Sequence, residues 1–340
     1  MAAKRRTGRV VAALAAGVAL STAGAAAAQS PTPNPWWTGY DKGSQAVPLG
    51  GGRTINLYCE GQGAPAVVMD AGLGDGAATW RRVQDQIAAK TRVCSYDRAG
   101  YGRSPAGPLP RDTKAEAGDL AAMLKAAHVP GPYLLVAHSM GSFNVRLFAY
   151  QHLKEVAGLV LVDPSADNQM AAIAAAAPST LKAQEAANAH NRKCAAPNPT
   201  PEVAKTCAQP PPYDLPPELA AKGVGQPGLG VYAAIGAEMD AFADLDSKQT
   251  VAAKRSLGAI PLIVLTAADT TKSPGASPEE SANAAKVWSG MHDDIATLST
   301  KGVNRTVVGS GHYIQFQKPQ VVIDAVGEAV DAVRAGKPKP

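Results

Sequence analysis

Much that would point to particular classes of protein is missing from this sequence of 340 residues. There is no internal repeat and no long run of like charge. No clustered basic surface argues for nucleic acid. Cysteine is scarce, with only Cys59, Cys94, Cys194 and Cys207, and their spacing matches no zinc pattern. The longest apolar stretch, Val10 to Leu20, is too short and too Ala-rich for a good membrane span.

That stretch has another use. Lys4, Arg5, Arg6 and Arg9 precede or flank it, and an A-x-A-like site ends at Ala28. This is the pattern of a secretory signal, with cleavage expected after Ala28 and export of the remainder. Removing residues 1–28 would take away four positive charges and no acids, lowering the formal charge from +5 to +1. An exported chain suits cysteines paired as disulfides. Cys194 and Cys207 share a Pro-rich segment, which points to a local bridge there and leaves Cys59 with Cys94.

The sequence is organised around Tyr133-Leu134-Leu135-Val136-Ala137-His138-Ser139-Met140-Gly141-Ser142. Tyr133 to Ala137 reads as a buried strand, and the spacing from Phe143 onward suits a helix. Between them stands Ser139, with small residues two positions away on either side. A sharp strand-to-helix turn would lift its hydroxyl above a sheet and leave no room for large neighbours. It would also place the serine at a helix N-terminus, where free N–H groups favour developing negative charge.

Strand and helix signals alternate on both sides of this turn. Gln45–Leu49 and Thr54–Cys59 read as a hairpin, and Ala66–Asp70 as a short strand entering the glycine-rich Ala71–Gly76. Helices are expected at Trp80–Lys90 and Asp112–His128, strands at Arg92–Tyr96 and Ala157–Val162. Residues 164–258 break the alternation, with an Ala-rich helix near Met170–Ala177, eight prolines between Pro197 and Pro217 and a helical stretch around Val231–Arg255. Strands resume at Ile260–Ala267 and Val303–Val308. Ser277-Pro278-Glu279-Glu280 starts one helix between them, and Val321–Val333 closes the chain. The domain reading is a signal at 1–28, a leader at 29–44, a sheet domain at 45–163 and 259–335, and a cap insertion at 164–258. The alternation implies a parallel sheet covered on both faces.

Taken in order, Asp70-Ala71-Gly72-Leu73-Gly74, Ser95 to Ser104 (SYDRAGYGRS), Ala137-His138-Ser139-Met140-Gly141, Asp269 and Gly311-His312-Tyr313 resemble the motifs of the α/β-hydrolase fold, over roughly Gln45 to Arg334. The resemblance implies a mostly parallel eight-stranded sheet flanked by helices, with a helical, Pro-rich cap between the sixth and seventh strands. It sets the second and fourth strands side by side, which brings Cys59 toward Cys94. It implies a triad of Ser139 as nucleophile, His312 as base and Asp269 as acid, with Asp163 the alternative acid because it also ends a strand. The backbone N–H groups of Leu73 and Met140 would receive the oxyanion. Asp97 and Arg98 would buttress the loops, and His138 would be structural. Trp36 and Trp37 would pack on the core.

Two positions depart from the family's pattern: Ala137 replaces the usual glycine, and Asp70-Ala71 stands where many relatives carry His-Gly. Ser139 itself argues against the relatives with an aspartate nucleophile. The expected activity is a secreted serine hydrolase of carboxylic esters with short to medium acyl groups, needing no cofactor and no metal. A peptidase of the prolyl aminopeptidase kind is the alternative enzyme. It would use acidic cap residues, among Glu185, Glu202, Glu218 and Glu238, to hold a substrate amine. A non-catalytic binding protein on the same scaffold is the remaining possibility.

Overall fold

Short runs of apolar residues bounded by turns build the centre of the molecule. Strands β3 (Ala66–Asp70), β4 (Val93–Asp97), β5 (Tyr133–His138) and β7 (Leu262–Ala267) are buried at every position, and β6 (Val156–Val162) at all but one. Such unbroken burial is what a parallel strand covered on both faces requires. With β1 (Ser44–Gly50), β2 (Arg53–Glu60) and β8 (Gly302–Val307) they form an eight-stranded sheet of order β1-β2-β4-β3-β5-β6-β7-β8. Strand β2 runs antiparallel to both its neighbours and the remaining pairs are parallel. The computed structural model describes residues 37, 43–196, 200–207, 216–220, 229–242, 244–270 and 276–336. The expected signal, most of the leader, Trp36 and part of the Pro-rich segment lie outside them.

Successive side chains on a strand point to opposite faces, and two apolar layers result. On one face Val68, Leu135, Leu161 and Val264 pack with Leu120 and Met123 of α2 (Thr113–Ala126) and Val145 and Phe148 of α3 (Gly141–Gln151). On the other, Met69, Leu134, Val160 and Leu265 pack with Val83 and Ile87 of α1 (Arg81–Ala88) and with Val322, Val326 and Val330 of the final helix (Pro319–Ala335). Trp37 is buried against Tyr58, Ala77, Ala78 and Leu219, as expected of a packing residue. Among the described residues no helix is long and apolar enough to cross a membrane.

Between β6 and β7 the chain forms helices α4 (Gln169–Ala176), α5 (Leu181–Cys194), α6 (Pro201–Cys207), α7 (Pro217–Ala220), α8 (Leu229–Phe242) and α9 (Leu245–Ala253). The stretch expected as one helical region around Val231–Arg255 is thus two helices. Helix α5 was not foreseen, because its sequence carries few large apolar residues. Helix α9 is tied to the start of α2: Asp246 accepts from the Thr113 N–H and Gln249 from the Lys114 N–H. Helix α10 (Pro278–Ala296) opens with the expected capping box, Ser277 accepting from the Glu280 N–H while Glu280 accepts from the Ser277 N–H.

Both expected disulfides are present. Cys194–Cys207 joins the ends of α5 and α6. Cys59–Cys94 links facing positions of neighbouring strands β2 and β4, across a sequence separation of 35. In the chain-entropy account, closing a loop of that size stabilises the fold by about 4 kcal/mol. Replacing both cysteines by serine should lower the unfolding free energy by that order in urea titration. A loss below about 1 kcal/mol would mean that the strand pairing alone restrains the unfolded chain.

Candidate active site

Ser139 follows directly on β5 and precedes α3, with φ at +49°, a left-handed conformation that a serine rarely adopts. The crowding around the turn explains its small residues. A side chain at Gly141 would put its Cβ 2.6 Å from the Ala71 carbonyl oxygen and 3.0 Å from that of Asp70. One at Gly72 would lie 2.8 Å from Nδ1 of His138. Ala137 is fully buried in the sheet with its methyl accommodated, so the loss of the usual glycine there costs little.

The serine hydroxyl lies 2.8 Å from Nε2 of His312, which stands on the loop after β8. Nδ1 of the same ring lies 2.7 Å from Oδ2 of Asp163. The carboxylate on His312 is therefore that of Asp163, and the expectation of Asp269 is corrected. Register supplies the physical reason. Val162 pairs with both His138 and Leu265, so Asp163 comes at the level of Ser139. Asp269 lies past the end of β7, in a turn, and its backbone N–H donates to the Ser310 carbonyl at 3.0 Å. Asp269 thus anchors the loop that carries His312 through its main chain.

Asp163 is completely buried and held from several sides. Oδ1 accepts from the Ala267 N–H and from Nε1 of Trp288, each at 2.9 Å. Oδ2 accepts from the Thr270 hydroxyl as well as from His312. Burial alone would raise its pKa, but the hydrogen bond from His312, the neighbouring His312 and His292 rings and the Thr270 hydroxyl together hold it below the usual carboxylate value. It is an ionised acceptor, suited to fixing one imidazole tautomer. Neither Trp288 nor Thr270 was singled out in the sequence, since a tryptophan on an apolar helix face gives no sign that its N–H will be used.

Two other histidines pack close by. His138 has its ring 4.6 Å from that of His312 and donates from Nε2 to the His312 carbonyl at 2.9 Å. His292 donates from Nε2 to the Pro164 carbonyl at 2.8 Å and packs 4.7 Å from Trp288. Burial, foremost, pushes their pKa values down to about 3 and about 4. Both are neutral, and among the described residues the buried Nδ1 of His138 has no hydrogen-bond partner.

The loop after β3 passes beside the serine. Arg98, fully buried, donates to the carbonyls of Ala71 at 2.7 Å and Gly72 at 2.8 Å and to Oδ1 of Asp70 at 2.9 Å. Oδ2 of Asp70 accepts from Asn144 at 3.0 Å, so the Asp70-Ala71 departure brings its own hydrogen bonds. Asp97 accepts from the Ala77 N–H at 2.9 Å, the Tyr58 hydroxyl at 3.0 Å and the Arg103 N–H at 3.1 Å. Met140 follows Ser139 directly and Leu73 follows Gly72, where a Cβ would lie 3.2 Å from that of Ser139; among the described residues neither backbone N–H donates to a protein acceptor. Sequence reasoning missed Asp75, a buried carboxyl bonded to Tyr313, which burial above all pushes up to about 6. His190, Cys194 and Cys207 bring ligand-type atoms within 4.8 Å of one another, but both sulfurs are consumed in the disulfide.

Sheet order, strained serine and aligned imidazole define a hydrolase of the α/β class. A family model for the alpha/beta hydrolases matches residues 67–325, and the chain belongs to that family. It is 25% identical over 263 residues to the uncharacterised protein YqjL of Bacillus subtilis, covering 77% of this chain and 82% of the relative. It is 27% identical over 115 residues to the (lyso)-N-acylphosphatidylethanolamine lipase of Mus musculus, a third of each chain. Among solved structures it resembles a thermophilic esterase from Thermogutta terrifontis, at 20% identity and a TM-score of 0.57 over 85% of this chain and 98% of the other.

The neutral histidines have a consequence for stability. An unfolded histidine takes up its proton as pH falls through about 6.5. Folded His292 resists until about 4. Its contribution is present above pH 6.5 and is lost as pH falls toward 4. The destabilisation caused by His292→Gln should therefore be largest at pH 8 and shrink toward pH 4.5, as measured by urea unfolding across that range. A pH-independent difference would contradict a neutral His292.

Proposed function

We propose that this protein is an exported serine hydrolase that cleaves carboxylic esters through an acyl-enzyme, with Ser139 as nucleophile, His312 as base and Asp163 as acid. The observation that carries the proposal is the continuous hydrogen-bonded line from Ser139 Oγ through His312 to Asp163, at 2.8 and 2.7 Å. A serine hydroxyl is a poor nucleophile at neutral pH, so His312 takes its proton as Oγ attacks the ester carbonyl. Asp163 holds the ring and stabilises the imidazolium. The N–H groups of Leu73 and Met140 receive the oxyanion. His312 then protonates the departing alcohol and later activates the water that releases the acid.

Residues 164–258 act as the cap that shapes the substrate site. This reading is supported by a cavity of about 200 Å³ lined chiefly by Met170, Ile173, Leu181, Phe242 and Trp288. Thr270 and Trp288, which hold Asp163, belong to the same wall. The cavity somewhat exceeds the engineered cavity of about 150 Å³ that admits benzene, which favours short to medium acyl groups. Ester rather than amine recognition is supported by Glu238, which is buried against Arg98, and by the exposure of Glu185, Glu202 and Glu218. The basic, apolar N-terminus and the two disulfides support export.

Nitrophenyl esters of graded chain length, tested beside aminoacyl arylamides, should show turnover of the short and medium esters, falling off for long acyl chains. No sharp rise in rate is expected where an emulsion forms. Preferred cleavage of the arylamides would instead favour the peptidase.

Asp163→Asn should lower kcat by roughly 10⁴-fold, by leaving His312 in the wrong tautomer, while Asp269→Asn should retain most activity. The reverse ordering would return the acid to Asp269. Ser139→Ala should abolish covalent labelling by a fluorophosphonate, and labelling that persists would exclude Ser139 as the nucleophile.

A further inference from the structure

We infer that Glu238, on helix α8 of the segment between β6 and β7, is a positioning residue for the loop that receives the oxyanion, acting through Arg98 and Tyr101. The inference rests on the proposed serine-hydrolase reading. Glu238 is 0% exposed and lies 140 positions from Arg98 in the sequence. Its Oε1 accepts from Nε of Arg98 at 2.8 Å and its Oε2 from Nη2 at 3.1 Å. Its Oε2 also accepts from the Tyr101 hydroxyl, whose oxygen in turn accepts from the Gly74 N–H at 3.3 Å.

Every N–H of the Arg98 guanidinium is thereby committed. The Nε–H and one Nη2–H go to Glu238, and the other Nη2–H goes to the Gly72 carbonyl. The two Nη1–H groups go to the Ala71 carbonyl and to Asp70. A guanidinium is a rigid planar fork, so fixing one edge on a carboxylate fixes where its other donors point. Those donors grip two successive carbonyls of the loop.

The consequence for chemistry follows from the planarity of the peptide bond. The Gly72 carbonyl and the Leu73 N–H belong to one peptide unit, and in a trans peptide they point in opposite directions. Turning the carbonyl toward Arg98 turns the Leu73 N–H away from it. Glu238 therefore sets the direction of the Leu73 donor at second hand, and the Tyr101 arm fixes the same loop two residues later. Substrate-shaping helix and oxyanion donor are joined by charged hydrogen bonds among almost wholly buried groups, where removing Glu238 leaves Arg98 with Asp70 as its remaining carboxylate.

The test compares the full-length protein with Glu238→Gln, which keeps shape but removes the charge and one acceptor. On nitrophenyl butyrate, kcat should fall by about 10²-fold while KM stays within about 2-fold, as expected when a transition-state donor is misplaced by an ångström. Affinity for an alkylboronic acid, whose serine adduct is tetrahedral, should fall in parallel, and affinity for butyrate should not. Should that variant fail to fold, Tyr101→Phe removes the second arm alone and should show a smaller loss with the same split.

A raised KM with kcat and boronate affinity unchanged would overturn the inference and make Glu238 a pocket-shaping residue only. Unchanged kinetics in a folded variant would overturn it as well. Wild-type protein that neither hydrolyses the ester nor binds the boronate would overturn the serine-hydrolase reading, and this inference with it.

Discussion

A carboxylate taken wholly out of water has to find its hydrogen bonds inside the protein, and much of the site follows from how Asp163 finds them. Its acceptors are filled by a β7 backbone N–H, the Thr270 hydroxyl, the Trp288 indole and the His312 ring. These groups come from the next strand, the turn after it, helix α10 and the loop after β8. One side chain thus ties together the strand ends above which the serine stands. The same bonds keep it ionised despite burial and leave a single orientation for His312.

Around this line the protein excludes competing charge and competing motion. His138 and His292 are held neutral, so no second cation disputes the carboxylate with His312. The elbow is packed so closely that Gly72 and Gly141 leave no space for a methyl group. Arg98 clamps the adjoining loop by two of its carbonyls, and helix α8 between β6 and β7 reaches that clamp through Glu238. Positioning achieved in advance in this way is what lets hydrogen-bond donors act on a developing charge without first rearranging.

The sheet was legible because its inner strands are nearly unbroken apolar runs, and the elbow because a lone serine stands between a strand and a helix with small residues on both sides. His312 was legible from its place after the last strand. The choice between Asp163 and Asp269 was not, since both follow a strand. What separates them is register: β6 and β7 pair so that Asp163 comes level with Ser139 while β7 runs on past it. Register is a property of paired strands, and β6 and β7, buried almost throughout, carry no apolar–polar alternation that would mark it. Trp288, Thr270 and Glu238 were hidden for a related reason, because each is explained only by a partner far away in the chain. The helices between β6 and β7 were only partly legible, since α5 carries too few apolar residues to mark a buried face.

The central claim is that Ser139 becomes acylated during turnover, and rapid mixing with a nitrophenyl ester, followed by acid quench and peptide mass analysis, tests it directly. The expected result is a burst of nitrophenol equal to the enzyme concentration, together with one acyl group on the peptide that carries Ser139. A linear release with no burst, and no acylated Ser139 peptide when deacylation is made rate-limiting with a slow ester, would contradict it.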